Sequence, residues 1–185
     1  MCSWCYAFRQ SWDVLQRSLP KDIEIIYVLG GLAPDTMEPM SPNLQKHIQQ
    51  VWHQIEQTVP KVRFNWDFWV QNQPIRSTYP ACRAILAAEK QKEGAMLLML
   101  HAIQRAYYQR AQNPSLPATL EKCAGEIGLD TQVFSEHLNS PEITQALHHE
   151  IQQARRLGVD SFPALRLLQN GSIFPVTIDY KNPLI

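Results

Sequence analysis

The feature that most restricts the fold is a long central stretch, residues 33–140, in which one helix signal follows another. Ser41 and Pro42 form an N-cap and a first-turn proline, and apolar residues then recur at the spacing of one helix face. Further helices are predicted at 79–92, 95–111, 117–127 and 131–138, separated by Gly94, Asn113-Pro114, Gly128 and Ser140-Pro141. Few strand-like runs interrupt them, so the sequence predicts a mostly helical block of about 100 residues.

The segment before this block has mixed structure. Apolar residues from Phe8 to Leu19 recur at helical spacing and predict a helix over residues 9–19, which a proline ends. Residues 23–29 are nearly all apolar and rich in β-branched side chains. Such a run is typical of a short strand buried on both sides of a mostly parallel sheet, and a pair of glycines ends it.

The segment after the block is also mixed. Residues 141–157 predict a helix, with Gly158 placed as its C-terminal stop. Residues 164–169 and 172–178 are two strand candidates, and Asn170-Gly171 between them favours a type I′ hairpin turn. The whole pattern predicts an α/β fold interrupted by a helical block.

Composition narrows the classes of function. The chain has 185 residues, of which 45% are hydrophobic, and this indicates one folded unit rather than a disordered chain. Seventeen basic and 17 acidic residues give a formal net charge of zero, so the sequence does not predict the positive electrostatic potential that nucleic-acid binding requires. The longest unbroken apolar stretch, residues 95–100, is far shorter than the roughly 18 residues of a membrane span. No signal peptide is recognisable, so we expect a soluble, cytosolic protein without nucleic-acid or membrane partners.

Two of the four cysteines form a C-x-x-C motif, Cys2-Ser3-Trp4-Cys5, at the start of the first predicted helix. Unpaired backbone amides and the positive end of the helix dipole stabilise a thiolate there. The helix end can stabilise a thiolate by up to ~2 kcal/mol, and one pKa unit corresponds to ~1.36 kcal/mol. We therefore expect the pKa of Cys2 to be lowered from ~8.5 to ~7. The spacing places the second thiol within disulfide reach, so Cys2 is predicted to attack and Cys5 to resolve.

A zinc half-site and an inert buried pair are the alternatives for these cysteines. A zinc site needs a second ligand pair, and His148-His149 are adjacent, without the usual spacing. Cys82 and Cys123 have no partner at C-x-x-C distance, and we interpret both as buried and inert. Redox chemistry is therefore the preferred interpretation, and no metal is predicted.

Several motifs resemble one family in the same order along the chain. They are MCSWCYAF (1–8), YVLGGLAP (27–34), FNWDFW (64–69), RSTYPACRA (76–84), AIQRAYY (102–108) and LGVDSFPAL (157–165). Together they resemble a DsbA-like thioredoxin-fold protein of the FrnE-type branch, whose members are often described as protein-disulfide isomerases. The resemblance implies a thioredoxin-like domain at residues 1–32 and 141–185, interrupted by a helical insertion domain at 33–140.

The resemblance also implies a substrate groove. It assigns Phe162 and Pro163 to a loop with a cis-proline that faces the two cysteines, and Trp4 and Tyr6 to the border of the groove. Each of the three aromatic residues fits core packing equally well. Packing is the stronger interpretation for the remaining aromatic residues of the family-like motif at 64–69, which are Phe64, Trp66, Phe68 and Trp69.

The chain departs from the family pattern at both ends. Only Met1 precedes Cys2, so the strand that normally comes before the active-site helix is missing, as is the closing helix after the hairpin. We expect either a clipped sequence or a second chain that fills the gap, as in a swapped homodimer.

Three functions remain open at this point. The first is a thiol–disulfide oxidoreductase that acts on protein or small-molecule disulfides and needs no cofactor beyond its dithiol, with glutathione as a candidate reductant. The second is a glutathione-dependent isomerase or transferase, like the hydroxychromene-carboxylate isomerases and kappa-class glutathione transferases, although those typically have serine in place of the first thiol. The third is a non-catalytic module that binds a peptide near Phe162.

Overall fold

The computed structural model describes residues 1–182 and 184. The helices of this part are α1 (Ser3–Ser18), α2 (Pro42–Thr58), α3 (Phe68–Gln71), α4 (Tyr79–Gln91), α5 (Ala95–Arg110), α6 (Pro117–Glu126), α7 (Thr131–Leu138) and α8 (Pro141–Arg156), and the strands are β1 (Leu165–Gln169) and β2 (Ser172–Val176). None of these helices is long and apolar enough to cross a membrane. The described part is thus mostly helical, with a small two-stranded sheet.

Side-chain caps explain where several helices begin. The Ser41 hydroxyl accepts the N–H of Leu44 at the start of α2, and the Ser140 hydroxyl accepts the N–H of Ile143 at the start of α8. Proline follows each of these serines, where its missing N–H costs no helical hydrogen bond. The cap and proline signals in the sequence therefore mark real helix starts.

The predicted helices agree closely with the structure, apart from two features. Helix α1 begins at Ser3 rather than at residue 9, so the C-x-x-C motif lies on its first turn. Helix α3 was not predicted, because four residues are too few to show a helical period.

Two buried clusters hold the helical part together. One lies among α4, α5, α6 and α7, where small alanines of α4 let the helices approach and Met99, Leu120 and Phe134 fill the space between them. The other is aromatic and surrounds Trp52 of α2, which is fully buried. The aromatic cluster contains Phe64, Phe68 and Tyr108, with Trp66 and Trp69 packed against it. Packing is thus the role of the aromatic motif at 64–69.

The hairpin forms where the sequence places it. Strands β1 and β2 pair antiparallel, with Leu165 opposite Val176 and Gln169 opposite Ser172. Asn170 has φ 51° and Gly171 has φ 76°, so both central residues have the positive φ of a type I′ turn.

The prediction of a buried strand at residues 23–29 is wrong. The segment pairs with no strand of the described residues, and Ile26 is 68% exposed. Side chains hold it instead, since the Leu29 N–H donates to Glu150 Oε2 at 2.8 Å and the Tyr27 hydroxyl accepts Trp12 Nε1–H at 2.9 Å. The apolar run alone could not form a strand, because a strand needs a paired neighbour and the hairpin does not reach it.

The division into residues 1–32 and 141–185 around a helical insertion at 33–140 stays a prediction. In sequence, helices α2 to α7 lie within 33–140, and α1 and the hairpin lie on either side of it. Residues 183 and 185 of the predicted C-terminal segment lie outside the described residues.

Candidate active site

The sulfur of Cys2 is the N-cap of helix α1. It accepts the backbone N–H of Cys5 at 3.3 Å, in place of the hydroxyl or carboxylate oxygen that usually caps a helix. The macrodipole and the unpaired amides of the first turn therefore act directly on this sulfur. A negative charge on Cys2 is favoured for that reason.

The two thiols of the motif have opposite pKa shifts. A hydrogen bond from the Cys5 thiol lowers the pKa of Cys2 to about 7, helped by the Cys5 N–H and opposed by burial. The same hydrogen bond, together with burial and the charge on Cys2, raises the pKa of Cys5 well above its usual value. Near neutral pH, a large fraction of Cys2 is therefore thiolate, while Cys5 keeps its proton.

Phe162 approaches Cys2 from the C-terminal part of the chain. The Cys2 thiol donates a hydrogen bond to the Phe162 carbonyl oxygen at 3.5 Å, and the Phe162-Pro163 peptide bond is cis. Two residues separated by 160 positions in sequence thus meet at the reactive sulfur. Pro163 itself takes part through this peptide bond and does not line the cavity beside Cys2.

Gly30 allows the ring of Phe162 to lie where it does. A Cβ at residue 30 would come within 1.9 Å of Phe162 Cε1 and 2.2 Å of Cζ. No side chain fits there unless the ring moves. The glycine pair was interpreted in the sequence only as the end of a strand, so this role was missed, although a glycine after an apolar run is also a signal of close approach.

A cavity of about 230 Å³ opens beside Cys2. Trp4 and Phe162 line it on the side of the motif, and Met40, Arg76 and Ser77 line it on the side of the helical part. The cavity therefore adjoins the Cys2 sulfur and has both apolar and polar walls.

The predicted groove residues do not all lie at this cavity. Trp4 lines it, with its ring 4.9 Å from that of Tyr180. Tyr6 is only 8% exposed, stacks on Tyr108 with 4.5 Å between ring centroids, and accepts a hydrogen bond from Gln109 at 2.9 Å. These contacts place Tyr6 in the aromatic cluster and favour packing as its role.

Ser3 of the motif is tied to the helical part of the chain. Its hydroxyl accepts the indole N–H of Trp52 at 2.9 Å, and both residues are buried. The first turn of α1 is thereby fixed to α2, which restricts the position of the Cys2 sulfur. Nothing in the spacing of the sequence indicates this contact.

The other two cysteines lack the environment of a reactive thiol. Both are buried, and burial raises the pKa of Cys82 and that of Cys123 to about 11. Among residues 1–182 and 184, no group of three or more histidine, cysteine or acidic side chains is arranged to hold a metal ion.

The chain is similar to known proteins along nearly its whole length. The family model of the DSBA-like thioredoxin domain matches residues 1–177. A curated relative, the ClpXP adapter protein SpxH of Halalkalibacterium halodurans, is 26% identical over 167 residues, which cover 88% of this chain. The chain spans about half the length, 54%, of that relative.

Solved structures share the fold. One is a Nitrosomonas europaea protein described as a "putative protein disulfide isomerase", with a TM-score of 0.81 and 24% identity over 98% of this chain and 86% of that one. Another is the cytosolic disulfide reductase DsbM of Pseudomonas aeruginosa, with a TM-score of 0.77 and 21% identity over 96% and 85%. DsbM with GSH gives a TM-score of 0.74 at the same identity and coverage. The thioredoxin-like DsbA fold expected from the resemblance is therefore confirmed, and the chain belongs to the DSBA-like thioredoxin domain family.

Proposed function

We propose that the chain is a thiol–disulfide oxidoreductase that works through the Cys2/Cys5 dithiol. The observation that carries the proposal is the pair of opposite pKa shifts at the helix N-terminus, with a Cys2 pKa of about 7 and a Cys5 pKa well above normal. An attacking thiol is most effective when its pKa is close to the ambient pH. Membership of the DSBA-like family and the cavity beside Cys2 support the same assignment.

Reduction of a substrate disulfide proceeds in two steps. The Cys2 thiolate attacks one substrate sulfur and forms a mixed disulfide, while the other sulfur leaves as a thiolate and takes up a proton. Cys5 then loses its proton, attacks the Cys2 sulfur and releases the second substrate thiol, which leaves a Cys2–Cys5 disulfide. Two electrons pass from the dithiol to the substrate, Cys5 supplies one proton, and solvent supplies the other.

Phe162 supports the substrate in this scheme. Its carbonyl oxygen lies 3.5 Å from the Cys2 sulfur, so a segment that crosses the nucleophile can hydrogen-bond to the backbone of the Phe162-Pro163 loop. Trp4 offers an apolar wall on the other side of the sulfur. These residues are the proposed substrate-binding positions.

We assign the cytosol as the compartment and glutathione as the reductant that regenerates the dithiol. The DsbM structures support both points, since that protein is a cytosolic disulfide reductase and has been solved with GSH. In a reducing compartment the chain would reduce or isomerise disulfides rather than form them.

Insulin reduction with dithiothreitol tests the proposal. We expect turnover by the wild type and none by Cys2→Ser. When dithiothreitol is left out, Cys5→Ser should form a mixed disulfide with insulin that intact-protein mass spectrometry detects. Cys123→Ala is the matched control, because it removes a buried thiol with a high pKa and leaves the dithiol in place. Wild-type turnover by Cys2→Ser would end the proposal.

Two competing functions make different predictions. A glutathione-dependent isomerase or transferase would bind glutathione saturably without disulfide turnover, which isothermal titration and the insulin assay together distinguish. A binding module like the adapter SpxH would keep its partner after both thiols are alkylated. The presence of both Cys2 and Cys5 with opposite pKa shifts favours the redox function over both.

A further inference from the structure

The cavity beside Cys2 has an unbalanced positive side chain. Arg76 lines the cavity, and so does His47, but no aspartate or glutamate is among its lining residues. The three ion pairs among the described residues use other cations, so no described carboxylate neutralises Arg76. A ligand with a negative group would find a counter-charge there.

The residue next to Arg76 has an unused hydrogen-bonding group. Ser77 also lines the cavity and is only 3% exposed, and its Oγ has no hydrogen-bond partner among the described residues. Buried side-chain hydroxyls are usually paired, so an unpaired one at a cavity calls for an explanation. The Oγ has almost no accessible surface, so rotation of the Ser77 side chain would be needed to bring it to a ligand oxygen in the cavity.

Helix α4 adds a favourable dipole at the same place. Its N-cap, Thr78, gives the helix no side-chain cap, because the Thr78 hydroxyl is engaged with Ala33, whose N–H it accepts at 2.9 Å and to whose carbonyl it donates at 3.1 Å. The positive end of this thirteen-residue helix therefore faces the cavity region without an intramolecular anion.

We propose that Arg76 and Ser77 form a carboxylate subsite, and that the chain acts on low-molecular-weight disulfides that carry a carboxylate close to the attacked sulfur. This inference rests on the proposed function of Cys2 as the nucleophile. Cys2 attacks the sulfur of the carboxylate-bearing half, the other half leaves as a thiol after taking up a proton, and Cys5 then releases the carboxylate-bearing thiol. 3,3′-Dithiodipropionate belongs to this class.

The size of the cavity favours a small substrate. Its volume of about 230 Å³ lies below the roughly 300–1,000 Å³ of pockets that enclose drug-sized ligands. It suits one short arm of a disulfide, with the sulfur at Cys2 and the carboxylate at Arg76. Both residues line the same cavity, so one ligand can reach both.

A matched series of small disulfides tests the subsite. We would measure kcat/KM for 3,3′-dithiodipropionate, hydroxyethyl disulfide and cystamine, which carry carboxylates, hydroxyls and amines. Arg76→Gln is expected to lower kcat/KM for the anionic disulfide about tenfold. This factor corresponds to the weak end of the range for hydrogen bonds between charged groups, because the Arg76 side chain is exposed. The neutral disulfide should be unaffected, and cystamine unchanged or faster. Arg76→Lys should recover part of the loss, and Ser77→Ala should weaken only the anionic substrate.

Arg155→Gln is the control variant, since it removes an exposed arginine near the end of α8 that does not line the cavity. It should leave all three rates unchanged. An equal effect of Arg76→Gln on all three disulfides would overturn the subsite.

A second measurement does not depend on turnover. The thioether 3,3′-thiodipropionate cannot be reduced, and it should protect Cys2 from iodoacetamide in the wild type but not in Arg76→Gln. The neutral 2,2′-thiodiethanol should protect neither protein. If protection depends on Arg76 while no disulfide is turned over, the proposed oxidoreductase function fails and the carboxylate subsite stands. If turnover occurs without this dependence, the subsite fails and the oxidoreductase stands.

Discussion

Replacing Cys5 with alanine removes the thiol that donates a hydrogen bond to the Cys2 sulfur, so the pKa of Cys2 should rise. The pKa of Cys2 is lowered to about 7, a shift that corresponds to roughly 3 kcal/mol. A hydrogen bond to a charged group contributes about 1.5–3 kcal/mol, while the backbone N–H of residue 5 and the helix end remain in the variant. We therefore expect a rise of about one unit, which reduces the thiolate fraction at pH 7 from about half to about one tenth.

The rate of iodoacetamide alkylation, measured as a function of pH, reports this change. In the wild type the rate should increase with pH around a midpoint near 7, because only the thiolate reacts and the folded-state pKa is depressed. Cys5→Ala should move the midpoint upward, and Cys5→Ser, whose hydroxyl can still donate, should move it less. Cys82 and Cys123 should not contribute, since both are buried with a pKa of about 11. An unchanged midpoint in Cys5→Ala would refute the assignment of the hydrogen bond as the main cause.

Two further substitutions test how the site is supported. Gly30→Ala should displace the ring of Phe162, lower the free energy of unfolding by about 1–3 kcal/mol in urea titrations and reduce turnover. Gly125→Ala is the control and should be neutral or stabilising, because its Cβ would lie 3.4 Å from its nearest neighbour. Equal behaviour of the two variants would contradict the close approach at Gly30. Trp52→Phe should cost about 1–3 kcal/mol of stability, because the buried Ser3 hydroxyl loses its donor, and a wild-type urea midpoint would show that this contact is unimportant.

Local signals in the sequence predict the helical part of the fold well. Helix α7 has the predicted bounds, and α2 and α8 begin at the proline that follows a serine cap. These signals act between residues that are only a few positions apart, so the sequence alone is enough to predict where these helices begin and end. A strand at 23–29 depends on a partner elsewhere, and hydrophobicity alone could not show that Glu150 and Trp12 bind this segment instead.

The same distinction applies to the candidate site. The C-x-x-C spacing indicates Cys2 and Cys5, because the chemistry of both follows from their position on one helix turn. Gly30, Arg76 and Ser77 reach the site only through the packing of distant segments. Their local sequence resembles an ordinary loop and helix start, and only the assembled cavity shows what they adjoin.

The proton of the Cys2 thiol affects both the sulfur and the Phe162 carbonyl, because the thiol donates a hydrogen bond to that carbonyl. While sulfur is protonated, it occupies this carbonyl as a donor. Once the proton leaves, sulfur becomes a nucleophile and at the same moment vacates the acceptor on which an incoming chain can dock. Under the proposed function, the Phe162 carbonyl therefore gains a free acceptor position in the same protonation state in which Cys2 can attack.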